Sequence, residues 1–214
     1  EDEARRESSY GEEEAQSGSR DSTAVTIVEV DLGLADELIS HKPIYRVVRR
    51  ELWTGELQSA QYGRLLALVE RWQAERIVID ASGIGAGVAS FLRDKLGERV
   101  IALTFSAKVK SRLGWGFLTA IDTGRFQDFR HEDEAEPINP LAMAMRGEQR
   151  RLQDLFYRQL AGTTSAVSVG PDRLLKWSVP EGTRDPEGGQ LHDDLVMSAA
   201  MVAVLDEQNW VVNV

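Results

Sequence analysis

Two short apolar runs joined by one helix-like stretch constrain the fold of this chain most. Residues 76–80 (RIVID) and residues 100–105 are apolar and short, which is typical of buried strands. Residues 85–96 between them carry apolar side chains at helical spacing, and Gly97 follows as a helix-ending residue. Strands joined by a helix lie parallel, with a right-handed crossover. The pattern predicts an α/β domain in which residues 76–80 form a central strand buried on both faces.

Further strands and helices are predicted on either side of this unit. Residues 24–30 and 44–53 are rich in β-branched residues and are interpreted as strands, and residues 59–74 as a helix. Downstream we predict two helices, a hairpin and a final helix that is apolar nearly all round, at residues 111–121, 146–160, 166–169 with 174–179, and 193–206. Residues 124–140 are interpreted as a loop, and residues 32–43 have room for a short helical turn.

Composition excludes several classes of protein. The 214 residues contain 25 Lys+Arg and 35 Asp+Glu, a net charge of −10, which argues against coating nucleic acid by bulk charge. Cysteine is absent, so disulfides and thiolate metal sites are excluded, and no apolar run approaches the length of a membrane span. Residues 1–22 are acidic and lack periodicity, which predicts a flexible segment before a domain at 23–214. The first residue is Glu1, so we expect a fragment or a processed product.

Asp80 is the first candidate for chemistry. It ends a predicted buried strand, at the sheet edge where α/β proteins place ligands, and glycines follow it in the string DASGIGAG. A plain strand-to-helix turn with Asp80 as its cap is the alternative. A dinucleotide-binding fingerprint starting at Gly83 fails because Val88 stands where its third glycine belongs. The phosphate-binding loop of nucleotide hydrolases is absent from the sequence.

His192, Asp193 and Asp194 are the second candidate, at the start of the last helix. An acid in a first turn complements the helix dipole, so Asp193 could simply cap the helix. That explanation covers one acid, not two adjacent acids that lead into an apolar helix. An inward Asp194 close to Asp80 would need a cation between the carboxylates. Oxygen ligands favour Mg²⁺ or Mn²⁺, and two such ions about 3.5–4 Å apart suit phosphodiester hydrolysis.

The motif DASGIG at 80–85 and the motif HDDL at 192–195 together resemble the nuclease domain of phage terminase large subunits, over residues ~21–207. The resemblance implies a ribonuclease-H-like mixed sheet flanked by helices. It also implies a metal-dependent endonuclease that cuts concatemeric double-stranded DNA with two Mg²⁺ or Mn²⁺ ions. The catalytic residues implied are Asp80, Asp194, Asp193 and His192. The metal ligands implied are Asp80, Asp194, Asp193 and Asp21.

One departure from the family concerns its first strand, which carries the first acid and lies between the second and fourth strands. Residues 24–30 and 44–53 match the second and third strands, so we expect the first strand to lie upstream of Glu1 and to be missing here. Its absence would leave a gap in the sheet with two unpaired edges. In the competing alignment, residues 24–30 are the first strand and Asp31 supplies its acid.

Basic residues are expected to contact DNA despite the net charge. Lys108, Lys110 and Arg112 follow the strand that ends at residue 105, and the arginines of residues 146–158 form a second basic face. By resemblance the partners are a terminase ATPase domain, a small terminase subunit and a portal, with no membrane. The expected location is the cytoplasm of an infected or lysogenic bacterial host. The alternatives are another ribonuclease-H-like nuclease, of resolvase or integrase type, and a non-catalytic DNA-gripping or docking module with an incomplete metal site.

Overall fold

The computed structural model describes residues 22–32, 42–129, 139–169 and 171–210. The strands are β1 (Ser22–Asp31), β2 (Ile44–Thr54), β3 (Ile77–Asp80), β4 (Val100–Leu103), β5 (Phe126–Gln127), β6 (Thr164–Val167) and β7 (Leu175–Ser178). The helices are α1 (Gln58–Trp72), α2 (Gly85–Leu96), α3 (Ala107–Asp122), α4 (Pro140–Gly162), α5 (Asp194–Ala200) and α6 (Val202–Leu205), with a 3-10 turn at Gly97–Arg99.

The strands β1 and β2 form a long antiparallel ribbon. Ser22 lies opposite Thr54 at one end, and Asp31 lies opposite Ile44 at the other. The register shifts after Ile27, so that Val48 is an extra residue in β2 and forms a bulge. Short β5 adds to β2 in parallel, which gives the strand order β1-β2-β5.

The parallel pair predicted from the two apolar runs is present. Strand β3 pairs with β4 from Ile77 opposite Val100 to Asp80 opposite Leu103, and α2 makes the crossover. Both faces of β3 are packed, but all four of its residues remain partly exposed, so the prediction of full burial is wrong. The physical reason is its second edge, which pairs with no other strand in the described residues.

Two hydrophobic clusters cover opposite faces of the β3–β4 pair. The larger one joins β2, α3, α4, β7, α5 and α6, and its fully buried members include Tyr45, Leu113 and Leu195. The smaller one lies between α1, α2 and the strands, around Leu92. Helices therefore flank the β3–β4 pair on both sides, which is the mixed α/β arrangement predicted from the sequence.

Several elements depart from the predicted boundaries. Helix α3 begins at Ala107 rather than at residue 111, because the Ser106 hydroxyl accepts a hydrogen bond from the Val109 N–H at 3.2 Å and caps it. Strand β5 lies inside the predicted loop 124–140. The last helix is interrupted at Met201. The helical turn predicted for 32–43 falls mostly outside the described residues, as does nearly all of the segment 1–22, for which flexibility was predicted.

A buried ion pair connects the end of α6 to β2 and to the residue before β5. The Arg125 guanidinium donates to both carboxylate oxygens of Asp206, at 2.8 and 3.0 Å, and the Tyr45 hydroxyl donates to the first of them at 2.6 Å. Burial by itself raises the pKa of Asp206, but the hydrogen bonds from Arg125 and Tyr45 outweigh it, so the pKa lies below its usual value. None of the described helices has the length and apolar composition that a membrane-spanning helix needs.

Candidate functional site

The Asp80 carboxylate lies at the carboxyl end of β3, half-buried, where the strand turns toward α2. One of its oxygens accepts a hydrogen bond from the Ser82 N–H at 2.8 Å, which fixes the side chain over the turn. The Ala81 N–H continues the ladder by donating to the Leu103 carbonyl at 2.7 Å. Strand pairing and a local turn together hold Asp80 at the edge of the sheet.

Glycines permit the turn that follows Asp80. Gly83 has φ +52°, in the left-handed region that favours glycine. At Gly85 an added Cβ would lie 2.1 Å from the Asp80 carbonyl oxygen, which is far inside contact distance. The glycines of the string DASGIG are therefore explained by the backbone path around Asp80.

Ser82 connects this turn to the start of α3. Its hydroxyl oxygen accepts a hydrogen bond from the Phe105 N–H at 2.8 Å, directly before the Ser106 cap. The first turn of α3, with Lys108 and Lys110, consequently lies next to the edge that carries Asp80. No role was predicted for Ser82, although it lies within the motif DASGIG.

The HDD segment places its three side chains differently. His192 is exposed, Asp193 occupies the N-cap position of α5, and Asp194 is the first helical residue and half-buried. The Asp193 side chain makes no capping hydrogen bond. Instead, the buried Gln159 of α4 accepts the Leu195 N–H at 2.9 Å. The capping explanation for Asp193 is therefore wrong, because a side chain from another helix performs that role.

Lys110 and Asp193 join the two candidate segments. The Lys110 ammonium lies 3.8 Å from Asp193 Oδ2, with both side chains partly exposed. Lys108 is exposed and forms no ion pair with the described residues. Arg112 faces Glu207 instead, at 3.4 Å and at the surface. The start of α3 thus lies between the Asp80 turn on one side and the start of α5 on the other.

The two other candidate acids are Asp21 and Asp31. Asp21 lies outside the described residues. Asp31 ends β1 in an ion pair with Arg46, at 2.7 Å, and β1 pairs with β2 but not with β3 within the described ranges. No group of three or more acidic, histidine or cysteine side chains close enough to hold a metal occurs in the described part of the chain. The described residues therefore place Asp80 and the HDD segment on either side of the start of α3 without forming a group of three candidate metal ligands.

The second predicted basic face lies on α4. Arg150 and Arg151 are exposed there, whereas Arg158 faces Glu187 at 3.9 Å. A surface cleft of about 720 Å³ lies elsewhere, between β2, β5 and α4, and is lined by residues such as Arg46, Asp128 and Tyr157. None of its lining residues belongs to the Asp80 turn or to α5.

The sequence matches the family described as Terminase RNaseH-like domain over residues 15–168, well over half of the chain. The chain belongs to this family. The match includes Asp80 and the start of α3, and it ends before the HDD segment. The terminase resemblance predicted from the motifs is confirmed, as is the ribonuclease-H-like α/β fold class. A comparison with curated proteins gives no significant match.

A solved structure of a terminase nuclease has a similar fold. The large terminase nuclease from thermophilic phage G20c with bound magnesium is 18% identical, with a TM-score of 0.50, covering 85% of this chain and 81% of that one. A second structure of that nuclease is 18% identical with a TM-score of 0.48, covering 83% and 80%. A third, with bound zinc, is 20% identical with a TM-score of 0.40, covering 83% and 79%.

Proposed function

We propose that this terminase domain is a metal-dependent endonuclease that cuts concatemeric double-stranded DNA during viral DNA packaging. One observation carries the proposal: the Asp80 turn and the HDD segment lie on either side of the start of α3. The Ser82–Phe105 hydrogen bond makes the first connection, and the Lys110–Asp193 ion pair makes the second. Membership of the terminase family supports the interpretation of these acids as part of a nuclease site.

Asp80, Asp193 and Asp194 would hold the metal, together with Asp21, which remains a prediction. Their carboxylates are the oxygen ligands that Mg²⁺ and Mn²⁺ prefer. One oxygen of Asp80 is already oriented by the Ser82 N–H, and Asp193 already attracts one cation, the Lys110 ammonium. Two bound ions would supply an activated water and stabilise the leaving oxygen of the phosphodiester. The magnesium in the related G20c nuclease supports this choice of ion.

The remaining residues would bind and orient DNA. Lys108 is exposed on the first turn of α3, where a phosphate can approach the edge that carries Asp80. Lys110 and Arg112 lie on the same helix, each facing an acid that a phosphate would compete with. His192 is exposed beside Asp193, within reach of a bound phosphate or water in the proposed complex.

The wider setting follows from the family. We propose an ATPase domain of the same packaging motor, a small terminase subunit and a portal as partners. We propose the cytoplasm of the bacterial host as the location. These proposals rest on the Terminase RNaseH-like family match.

The test is nicking of supercoiled plasmid by the chain in Mn²⁺. We expect cutting by the parent and loss of cutting in Asp80→Asn and Asp194→Asn, because each variant removes a carboxylate charge from the metal site. Asp94→Asn is the matched control, since Asp94 is an exposed acid on α2. Thermal melting of each variant checks that the chain still folds.

Substrate and metal dependence separate the alternatives. Equal cutting of linear and supercoiled duplex supports the terminase proposal, whereas a preference for branched DNA supports a resolvase-type nuclease. Salt-sensitive duplex binding without metal and without cutting supports a DNA-gripping module. Unchanged cutting in both Asp80→Asn and Asp194→Asn would overturn the assignment of the site.

A further inference from the structure

Lys110 is held between an acid and an aromatic ring. Its ammonium lies 3.8 Å from Asp193 Oδ2 and 5.4 Å from the centroid of the Trp177 ring. Its backbone is held as well, because its carbonyl accepts a hydrogen bond from Trp177 Nε1 at 2.8 Å. Both ends of the residue are therefore positioned by the same strand, β7.

Strand β7 is itself fixed against α3. The Leu175 N–H donates to the Ser111 hydroxyl at 2.9 Å, and this contact is buried. Gly114 allows the close approach, since a Cβ there would lie 2.4 Å from Trp177 Nε1. Trp177 is only 7% exposed. The direction of the Lys110 side chain is thus set by packing, unlike that of a freely moving surface lysine.

The Asp193 carboxylate has no other structural task in the described residues. Helix α5 is capped by Gln159, and Asp193 makes no capping hydrogen bond. Within the described ranges, Lys110 is the partner of this carboxylate. A partly exposed carboxylate that makes no capping hydrogen bond and faces a cation is placed to exchange that cation for another.

We infer that Lys110 and a divalent metal ion compete for Asp193. This inference rests on the proposed function and deepens it. Lys110 is a positioning residue: its ammonium holds the Asp193 carboxylate in place, and a divalent ion on that carboxylate would displace it. The displaced ammonium is then available to a DNA phosphate near the start of α3. Metal binding and DNA contact are coupled through one side chain.

The test is titration of the whole chain with Mn²⁺, with free Mn²⁺ followed by electron paramagnetic resonance. Lys110→Met removes the charge and keeps an apolar stem against Trp177. Because partly exposed ion pairs are weak, we expect Mn²⁺ to bind about two- to fivefold more tightly to Lys110→Met than to the parent. The matched control is Lys176→Met, which changes net charge equally at an exposed lysine of β7, beside Trp177 in the chain. We expect it to bind Mn²⁺ like the parent.

The outcomes separate the inference from the proposed function. Mn²⁺ binding that weakens in Asp80→Asn supports the metal site. If Lys110→Met then binds Mn²⁺ no more tightly than Lys176→Met, the competition is overturned while the metal site stands. Weaker Mn²⁺ binding in Lys110→Met would also overturn the competition, because it would show that Lys110 supports the metal site. An absence of Mn²⁺ binding to the parent overturns both the competition and the metal site.

Discussion

The amide oxygen of Gln159 accepts a hydrogen bond from the Leu195 N–H at 2.9 Å and so caps helix α5 from a neighbouring helix. Gln159 is 3% exposed, and Leu195 is fully buried. The usual capping residue, Asp193, is left with its carboxylate directed at Lys110. The hydrogen bond that stabilises the start of α5 therefore comes from Gln159 and not from Asp193.

Replacing Gln159 by Leu should lower the free energy of unfolding by about 1–3 kcal/mol, because the buried Leu195 N–H loses its acceptor. Asp193→Asn should change it by less than about 1 kcal/mol, since it loses only a partly exposed ion pair. Urea denaturation of both variants measures the difference. A larger loss in Asp193→Asn than in Gln159→Leu would contradict the capping assignment.

Gly85→Ala should disrupt the turn after β3. Its Cβ would lie 2.1 Å from the Asp80 carbonyl oxygen, so the backbone must move and take Asp80 with it. We expect a lower melting temperature and weaker Mn²⁺ binding. Gly87→Ala is the control, because its Cβ would meet only the Tyr62 hydroxyl at 3.4 Å. Equal behaviour of the two variants would show that the turn tolerates a side chain.

Asp206→Asn should destabilise the fold by about 3–5 kcal/mol near neutral pH, because the buried Arg125 loses its carboxylate partner. Since the folded pKa of Asp206 is lowered, its contribution is present above the unfolded value of about 3.9 and is lost as the pH falls through the folded pKa. The difference in the free energy of unfolding between the parent and Asp206→Asn should therefore become smaller below about pH 4.

Urea denaturation at several pH values follows the Asp206 effect. Lys42→Met is the control, since Lys42 reaches Asp206 only at 3.5 Å from an exposed position. We expect a change of less than about 1 kcal/mol in that variant. A pH-independent deficit in Asp206→Asn would show that the charge of Asp206 does not stabilise the fold.

Lys108→Met should weaken binding to duplex DNA and reduce the salt dependence of that binding by roughly one counterion. Lys108 is exposed at the start of α3 and forms no ion pair with the described residues. Fluorescence anisotropy across a salt series measures the slope. The control is Lys95→Met, because Lys95 is exposed in the last turn of α2. An equal change in the salt dependence of DNA binding in both variants would contradict a contact between Lys108 and DNA.

Local patterns predicted the central unit of the fold correctly. The apolar runs of β3 and β4, the helix between them and Gly97 after it depend on neighbouring residues, so the sequence alone indicates a parallel βαβ unit. Strand β5 was missed because it has only two residues, and it exists through pairing of Phe126 with Tyr45 of β2. The early start of α3 could have been found, since Ser106 is a typical N-cap.

By itself, the sequence determined which acids could act, because Asp80 follows an apolar strand and the HDD segment opens an apolar helix. It also determined the glycine turn, which is a local property of the backbone. Only the tertiary structure decided which residues those acids contact. Gln159 reaches α5 from a distant part of the chain, and β7 directs Lys110 toward Asp193. Such contacts depend on how helices and strands pack, and no local spacing encodes that packing.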